Sequence, residues 1–233
     1  MTANQTVRWV LKPVVFLCAL GPFALLLRGL LTANLGADPL AELTNETGVW
    51  ALRFLAAALA VTPVRRLTHW QNVIKFRRML GLFAFFYGLL HLLVFIVFDR
   101  LASLGLPSIF LWQTFRDLGV SIAGEILKRP YITVGFTAWV ILLALACTST
   151  TGMIRRLGGR RWQALHRLVY VAAVAGVIHY WWLVKADIRH PQAYAATFGI
   201  LLGFRVWLWA RSRRPASVRA APRRASATPA SAD

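Results

Sequence analysis

The chain has 233 residues, 58% of them hydrophobic, and carries 27 Lys and Arg against 8 Asp and Glu, a formal net charge of +19. So apolar a composition excludes an ordinary soluble domain, and the basic residues are dispersed between apolar runs rather than gathered on one face, which excludes a nucleic-acid partner. A polytopic membrane protein with basic loops accounts for both properties.

In chain order, Arg8 and Lys12 precede PVVFLCALGPFALLL; no small-x-small cleavage site follows at the distance a signal peptide needs, so the segment reads as a first membrane span over 10–31. Five further segments approach the roughly 20 residues that a hydrocarbon core demands: 48–65, 79–98, 131–154, 166–184 and 192–210. Arg28, Arg53 and Arg205 stand near span ends, where they can snorkel. The 99–130 connection is too polar to span and reads as an interfacial helix within LWQTFRDLGVSIAGEILKRP. No internal repeat is visible.

Charge then orients the chain. The 66–78 loop holds Arg66, Lys75, Arg77 and Arg78; the 155–165 loop holds Arg155, Arg156, Arg160 and Arg161; the 32–47 loop holds Asp38, Glu42 and Glu46 with no Lys or Arg. The positive-inside rule makes the basic loops and both termini cytoplasmic. The expected fold is all-α, a polytopic bundle of about six transmembrane helices over 1–210. The 211–233 tail, almost all Arg, Ala, Pro and Ser, is expected to be disordered and drawn to anionic membrane lipid.

Three histidines fall inside or at the mouth of membrane-length stretches: His91, His166 and His179. Ionisable residues at membrane depth are costly and mark function, and imidazole is the usual proximal ligand of haem iron. At 1.5 Å per residue His91 lies about 18 Å along the third span and His179 about 20 Å beyond His166 on the fifth. Both spans enter from the same side, so His91 and His179 fall at matched depth on parallel helices, as axial ligation of one haem requires. His166 is rotated about 140° from His179 on an ideal helix and is level with Arg77 and Arg78, where no partner histidine stands. It reads as the ligand of a second haem only with helix distortion or another sixth ligand, and otherwise as a contact to a different cofactor. His69 and His190 fall in loops.

Cys18 and Cys147 lie in apolar segments and no CxxCH occurs, so a haem here is b-type, held non-covalently. One haem in the outer half does not cross the bilayer alone, and no GxGxxG supplies a nucleotide-binding reductase domain. The electron donor is therefore a separate cytoplasmic flavin reductase, a bound flavin or a membrane quinol, and Arg77, Arg78 and the 155–161 arginines are placed to hold a flavin phosphate.

The runs RRMLGLFAFFYGLLH at 77–91, KRPYITVGF at 128–136, TSTTGMIRRLGGRRWQALHRLVY at 148–170 and HYWWLVK at 179–185, in this order, resemble the ferric-reductase-like transmembrane superfamily. They are most similar to its branch of haem-binding membrane subunits of bacterial periplasmic protein-methionine-sulfoxide reductases. The resemblance covers the chain to about residue 210. It implies an inner-membrane cytochrome with haem b and FMN, an electron-transfer subunit that serves a separate periplasmic molybdenum-cofactor catalytic subunit. The family's histidines correspond to His91, His166 and His179. Where the wider superfamily has a second histidine on the third helix, this chain has the region of Arg77 and Arg78. The competing readings are a stand-alone ferric or oxygen reductase, disfavoured by the missing dehydrogenase domain, and a haem-free transporter or scaffold, for which midplane carboxylates and broken helices are lacking.

Overall fold

The structure, a computed structural model, describes residues 3–101, 112–184 and 187–212, and every regular element among them is helical. The expected disordered tail lies, beyond Ser212, outside the described residues.

Helix α1 spans Val7–Leu31 and closes where the Thr32 amide and hydroxyl both donate to the Arg28 carbonyl at 2.9 Å. Pro22 interrupts it, and the turn there is opened by a side chain from another helix. The Tyr87 hydroxyl donates to the Ala19 carbonyl at 2.8 Å and accepts the Phe23 amide at 3.0 Å. Residues 19 and 23 are four apart, so the phenol is inserted into the helix's own hydrogen-bond ladder.

Helix α2, Pro39–Thr68, begins earlier than the expected span at 48. Asp38 caps it by accepting the Ala41 amide at 3.0 Å, and Pro39 occupies the first turn, where a missing N–H costs nothing. The acidic loop expected over 32–47 is therefore helical from Pro39 onward. α2 ends where His69 adopts a left-handed φ of 56°. Pro63 within it deprives the Leu59 carbonyl of its amide partner. Arg205 replaces that partner: Nη2 donates to the Leu59 carbonyl at 2.9 Å and to Thr62 Oγ1 at 3.2 Å, while Nη1 donates to the Tyr170 hydroxyl at 2.9 Å. Arg205 is thus held between helices rather than snorkelling.

Helix α3, Arg77–Val94, follows a 3-10 stretch over Gln71–Phe76 and continues into a π-helical stretch over Phe95–Leu101. The expected connecting helix is α4, Trp112–Lys128, ended by an extended Arg129 before Pro130. Helix α5, Pro130–Cys147, stops short of the expected 154. The Thr148 and Ser149 hydroxyls turn back to the Ala144 and Leu145 carbonyls, each at 2.7 Å, and Thr150 Oγ1 accepts the Met153 amide at 3.3 Å to cap the next helix. That helix, α6 (Thr151–His166), occupies what reads in the sequence as a loop and is broken at Gly158, φ 72°. Helices α7, Val169–Leu183, and α8, Arg189–Ser212, follow. α8 runs past the expected domain boundary at 210.

Among the described residues, five helical stretches are long and apolar enough to cross a membrane: α1, α2, Gln71–Phe98, α5 and α8. The sixth expected span is α7, whose 15 residues reach only about 22 Å. It turns Ala172 and Ala173 into the bundle and leaves Val171, Val174 and Trp182 exposed. α2 packs along α3 and α5 along α7, with α3 against α5 and α2 against α7 and α8, so the last-named helix and α1 flank a four-helix centre. Its core is aromatic: Phe54 stacks on Tyr87 at 5.3 Å and on Phe83 at 5.4 Å. Leu17, Leu25, Ile200 and Val206 point outward from α1 and α8, as residues facing lipid do.

Candidate metal centre

Helices α2, α3, α4, α5 and α7 enclose a cavity of about 530 Å³ that is walled mainly by apolar side chains, with His91 and His179 facing it from α3 and α7. The two imidazole rings stand 6.0 Å apart, centre to centre, with their planes at 81°. Their matched depth on parallel helices, read from residue rise alone, is thus realised as a direct encounter.

The chemistry of each ring is fixed by its outer nitrogen. His91 Nδ1 lies 2.9 Å from the Thr44 carbonyl of α2, and His179 Nδ1 lies 2.7 Å from the Tyr131 carbonyl of α5. A carbonyl only accepts, so each Nδ1 carries the proton and each Nε2 the lone pair. Metal-bound histidines are commonly oriented by this kind of outer hydrogen bond. Imidazole nitrogens bind transition metals at about 2.0–2.1 Å; adding roughly 1.1 Å from nitrogen to ring centre puts two trans ligands about 6.2 Å apart. The observed 6.0 Å between ring centres leaves room for one metal ion between the two imidazoles. Among the described residues no group of three His, Cys, Asp or Glu side chains gathers to complete a protein-only metal site. The remaining ligands would have to come from a bound group that fills the slot, which is the role of a planar macrocycle. Two further features fit such a group: the indole Nε1 of Trp139, which lines the cavity, is buried without a hydrogen-bond partner, and several walls are glycines.

The family described as ferric reductase like transmembrane component matches residues 47–177, which include His91 and most of the cavity lining and stop just before His179. Three proteins named protein-methionine-sulfoxide reductase heme-binding subunit MsrQ are similar over most of the chain. That of Xanthomonas euvesicatoria pv. vesicatoria is 50% identical over 81% of this chain and 79% of its own. That of Xanthomonas oryzae pv. oryzae (strain MAFF 311018) is 44% identical over 97% and 99%, and that of Herminiimonas arsenicoxydans 46% over 86% of each. The chain belongs to the MsrQ family. No solved structure matches. With its apolar helices, membership of the MsrQ family makes it a multi-pass protein of the bacterial inner membrane.

The third histidine stands apart from the cavity. His166 stacks on Trp162 at 3.9 Å, its Nδ1 lies 3.1 Å from the Trp162 carbonyl, and its Nε2 is 3.4 Å from Ser149 Oγ. Trp162 Nε1 in turn donates to the Thr148 carbonyl at 2.9 Å, so this pair ties α6 to the end of α5. Arg77 is near enough to act on His166 electrostatically, in keeping with their expected common level, whereas Arg78 is exposed. Arg53, read from the sequence as a residue able to snorkel, lies over the Trp50 ring at 4.4 Å and donates from Nε to the Tyr194 hydroxyl at 3.2 Å. The arginine that lines the cavity is Arg129, steadied by Glu125 at 2.8 Å and the Tyr131 hydroxyl at 3.1 Å. Sequence reasoning missed Arg129, Trp139 and four lining glycines. A Gly-x-x-His spacing that occurs twice, at 88–91 and 176–179, was the available signal.

Proposed function

We propose that the chain is the membrane electron-transfer subunit of a protein-methionine-sulfoxide reductase, holding a b-type haem between His91 and His179. It receives electrons from a cytoplasmic flavin reductase or from quinol and passes them to a periplasmic molybdenum-cofactor subunit that reduces methionine sulfoxide in damaged envelope proteins. The observation that carries this reading is the pair of imidazoles 6.0 Å apart, each with Nδ1 bonded outward to a carbonyl. The relatives' names, as heme-binding subunits of such a reductase, agree with it.

Bound in this slot, haem supplies a one-electron couple. The residues of the chain do the rest. His91 and His179 would hold the group through Nε2, the nitrogen left free on each ring, and the Thr44 and Tyr131 carbonyls fix the ring tautomers. The apolar walls keep water from the centre, and Arg129 offers a cation to an acidic edge of the group. Cys18 and Cys147 are outside the lining, which fits a haem held without thioether bonds.

The same reading assigns the end of the bundle that carries Arg77, Arg78 and His166 to the cytoplasm, with both termini. It makes these three residues the contacts of an FMN, or of a second haem, through which electrons approach the cavity. Phosphate recognition by paired guanidinium groups is the chemistry involved.

The test is a reduced-minus-oxidised optical spectrum of the detergent-purified chain, with His91→Ala and His179→Ala beside it. A low-spin b-type spectrum in the wild type, lost in both variants, is expected. A folded wild type that binds no haem would return both histidines to packing and end the proposal.

A further inference from the structure

Both histidines meet the bundle through one small pattern used twice. On α3, Gly88 precedes His91 by three residues; on α7, Gly176 precedes His179 by three. On the helix opposite each, the carbonyl that receives Nδ1 lies four residues before a glycine: Thr44 before Gly48 on α2, Tyr131 before Gly135 on α5. All four glycines line the cavity. The Gly-x-x-His half of the pattern shows in the sequence, but its pairing with Thr44–Gly48 and Tyr131–Gly135 does not, because those positions belong to other helices.

The glycines opposite the histidines stand where a side chain would press on the imidazole, severely at Gly135 and mildly at Gly48. A methyl group added at Gly135 would stand 2.5 Å from His179 Nδ1 and 2.8 Å from its Cε1. One added at Gly48 would stand 3.1 Å from His91 Nδ1 and 3.2 Å from Cε1. By contrast, a methyl group added at Gly81, on the same helix as His91, would meet nothing within 4 Å. On a helix, residue i+4 sits one turn above residue i on the same face, so its Cβ flanks the outward side of carbonyl i. Only where that Cβ is absent can an imidazole lie flat enough against the backbone to reach the carbonyl.

We propose that Gly48 and Gly135 are positioning residues for the haem iron: by leaving room for each imidazole against the neighbouring helix, they set the Nδ1–H···O=C bonds and hold the two ring planes nearly perpendicular. The proposal rests on the haem reading above and adds two consequences to it. Perpendicular axial imidazoles give low-spin ferric iron a strongly anisotropic EPR signal. Donation of Nδ1–H to a carbonyl raises the basicity of Nε2, which favours ferric iron and lowers the midpoint potential.

The experiment compares the full-length chain with Gly48→Ala, Gly135→Ala and, as a control, Gly81→Ala, each purified in detergent and checked for monodispersity by gel filtration. Haem content, the ferric EPR spectrum and the midpoint potential are recorded. Gly135→Ala, with the closer contact, is expected to lose the low-spin haem or turn it high-spin. Gly48→Ala, where a ring shift of a few tenths of an ångström relieves the contact, is expected to keep haem with reduced EPR anisotropy and a raised potential. Gly81→Ala should match the wild type. If Gly135→Ala fails to fold, Gly48→Ala decides alone. Wild-type spectra and potentials in both Gly48→Ala and Gly135→Ala, or equal changes in Gly81→Ala, overturn this inference and leave the haem reading standing. A wild type without haem overturns the haem reading itself, and this inference with it.

Discussion

Tyr87 places its hydroxyl where a helix would ordinarily have a backbone hydrogen bond, and it is wholly buried there. Tyr87→Phe keeps the ring stacked on Phe54 but strands the Ala19 carbonyl and the Phe23 amide in an apolar surrounding. Interhelical hydrogen bonds in membranes contribute modestly, so the expected loss is about 1–2 kcal/mol, read as a lower melting temperature of the detergent-solubilised chain. Because Tyr87 does not line the cavity, the haem spectrum should be unchanged; a spectral change would mean that the aromatic core and the cavity are coupled. At this scale the sequence was legible where depth along a helix decides the matter, as it does for His91 and His179. It was not legible where a partner comes from a distant helix: nothing near residue 87 announces Ala19, and nothing near residue 179 announces Gly135.

At the scale of elements, α2 and α8 are joined by a substitution of one donor for another. Pro63 leaves the Leu59 carbonyl without an amide, and Arg205 supplies the missing donor. A double-mutant cycle isolates this interaction. Arg205→Met should destabilise the native chain more than it destabilises Pro63→Ala, in which residue 63 regains an N–H for Leu59. The coupling expected between the two positions is about 1 kcal/mol, within the usual range for residues in contact. Equal effects in both backgrounds would show that Arg205 acts only through Tyr170 and Thr62. The spans themselves were readable from apolar length, but their ends were not. α2 starts at Pro39 because an Asp-Pro pair caps it, and α5 stops at Cys147 because the hydroxyls of 148–150 turn back on the helix and cap the next one. Hydropathy sees neither signal, since Thr and Ser are uncharged and Asp38 reads only as loop.

At the scale of the whole molecule, exposed tryptophans gather toward the two ends of the bundle, as residues at membrane–water interfaces do. Trp9, Trp70, Trp207 and Trp209 are exposed at the end where the arginines gather, and Trp181 and Trp182 at the end of the cavity mouth. The charge asymmetry between these ends predicts which faces the cytoplasm. Asn34→Cys should react in intact cells with a thiol reagent that does not cross the inner membrane, in a background lacking Cys18 and Cys147. Gly159→Cys, between Arg156 and Arg160, should react only after the membrane is broken. The reverse pattern would invert the topology and move the cavity mouth to the cytoplasmic side.

The two spliced turns also constrain how the chain is made. The Ala19–Phe23 step of α1 is bridged by Tyr87, two helices later, and α2 carries an open Leu59 carbonyl until Arg205 arrives on α8. A nascent chain halted before residue 205 therefore leaves the Leu59 carbonyl of α2 without its protein donor. The second transmembrane helix of this bundle thus has its hydrogen bonding completed only when the last helix docks.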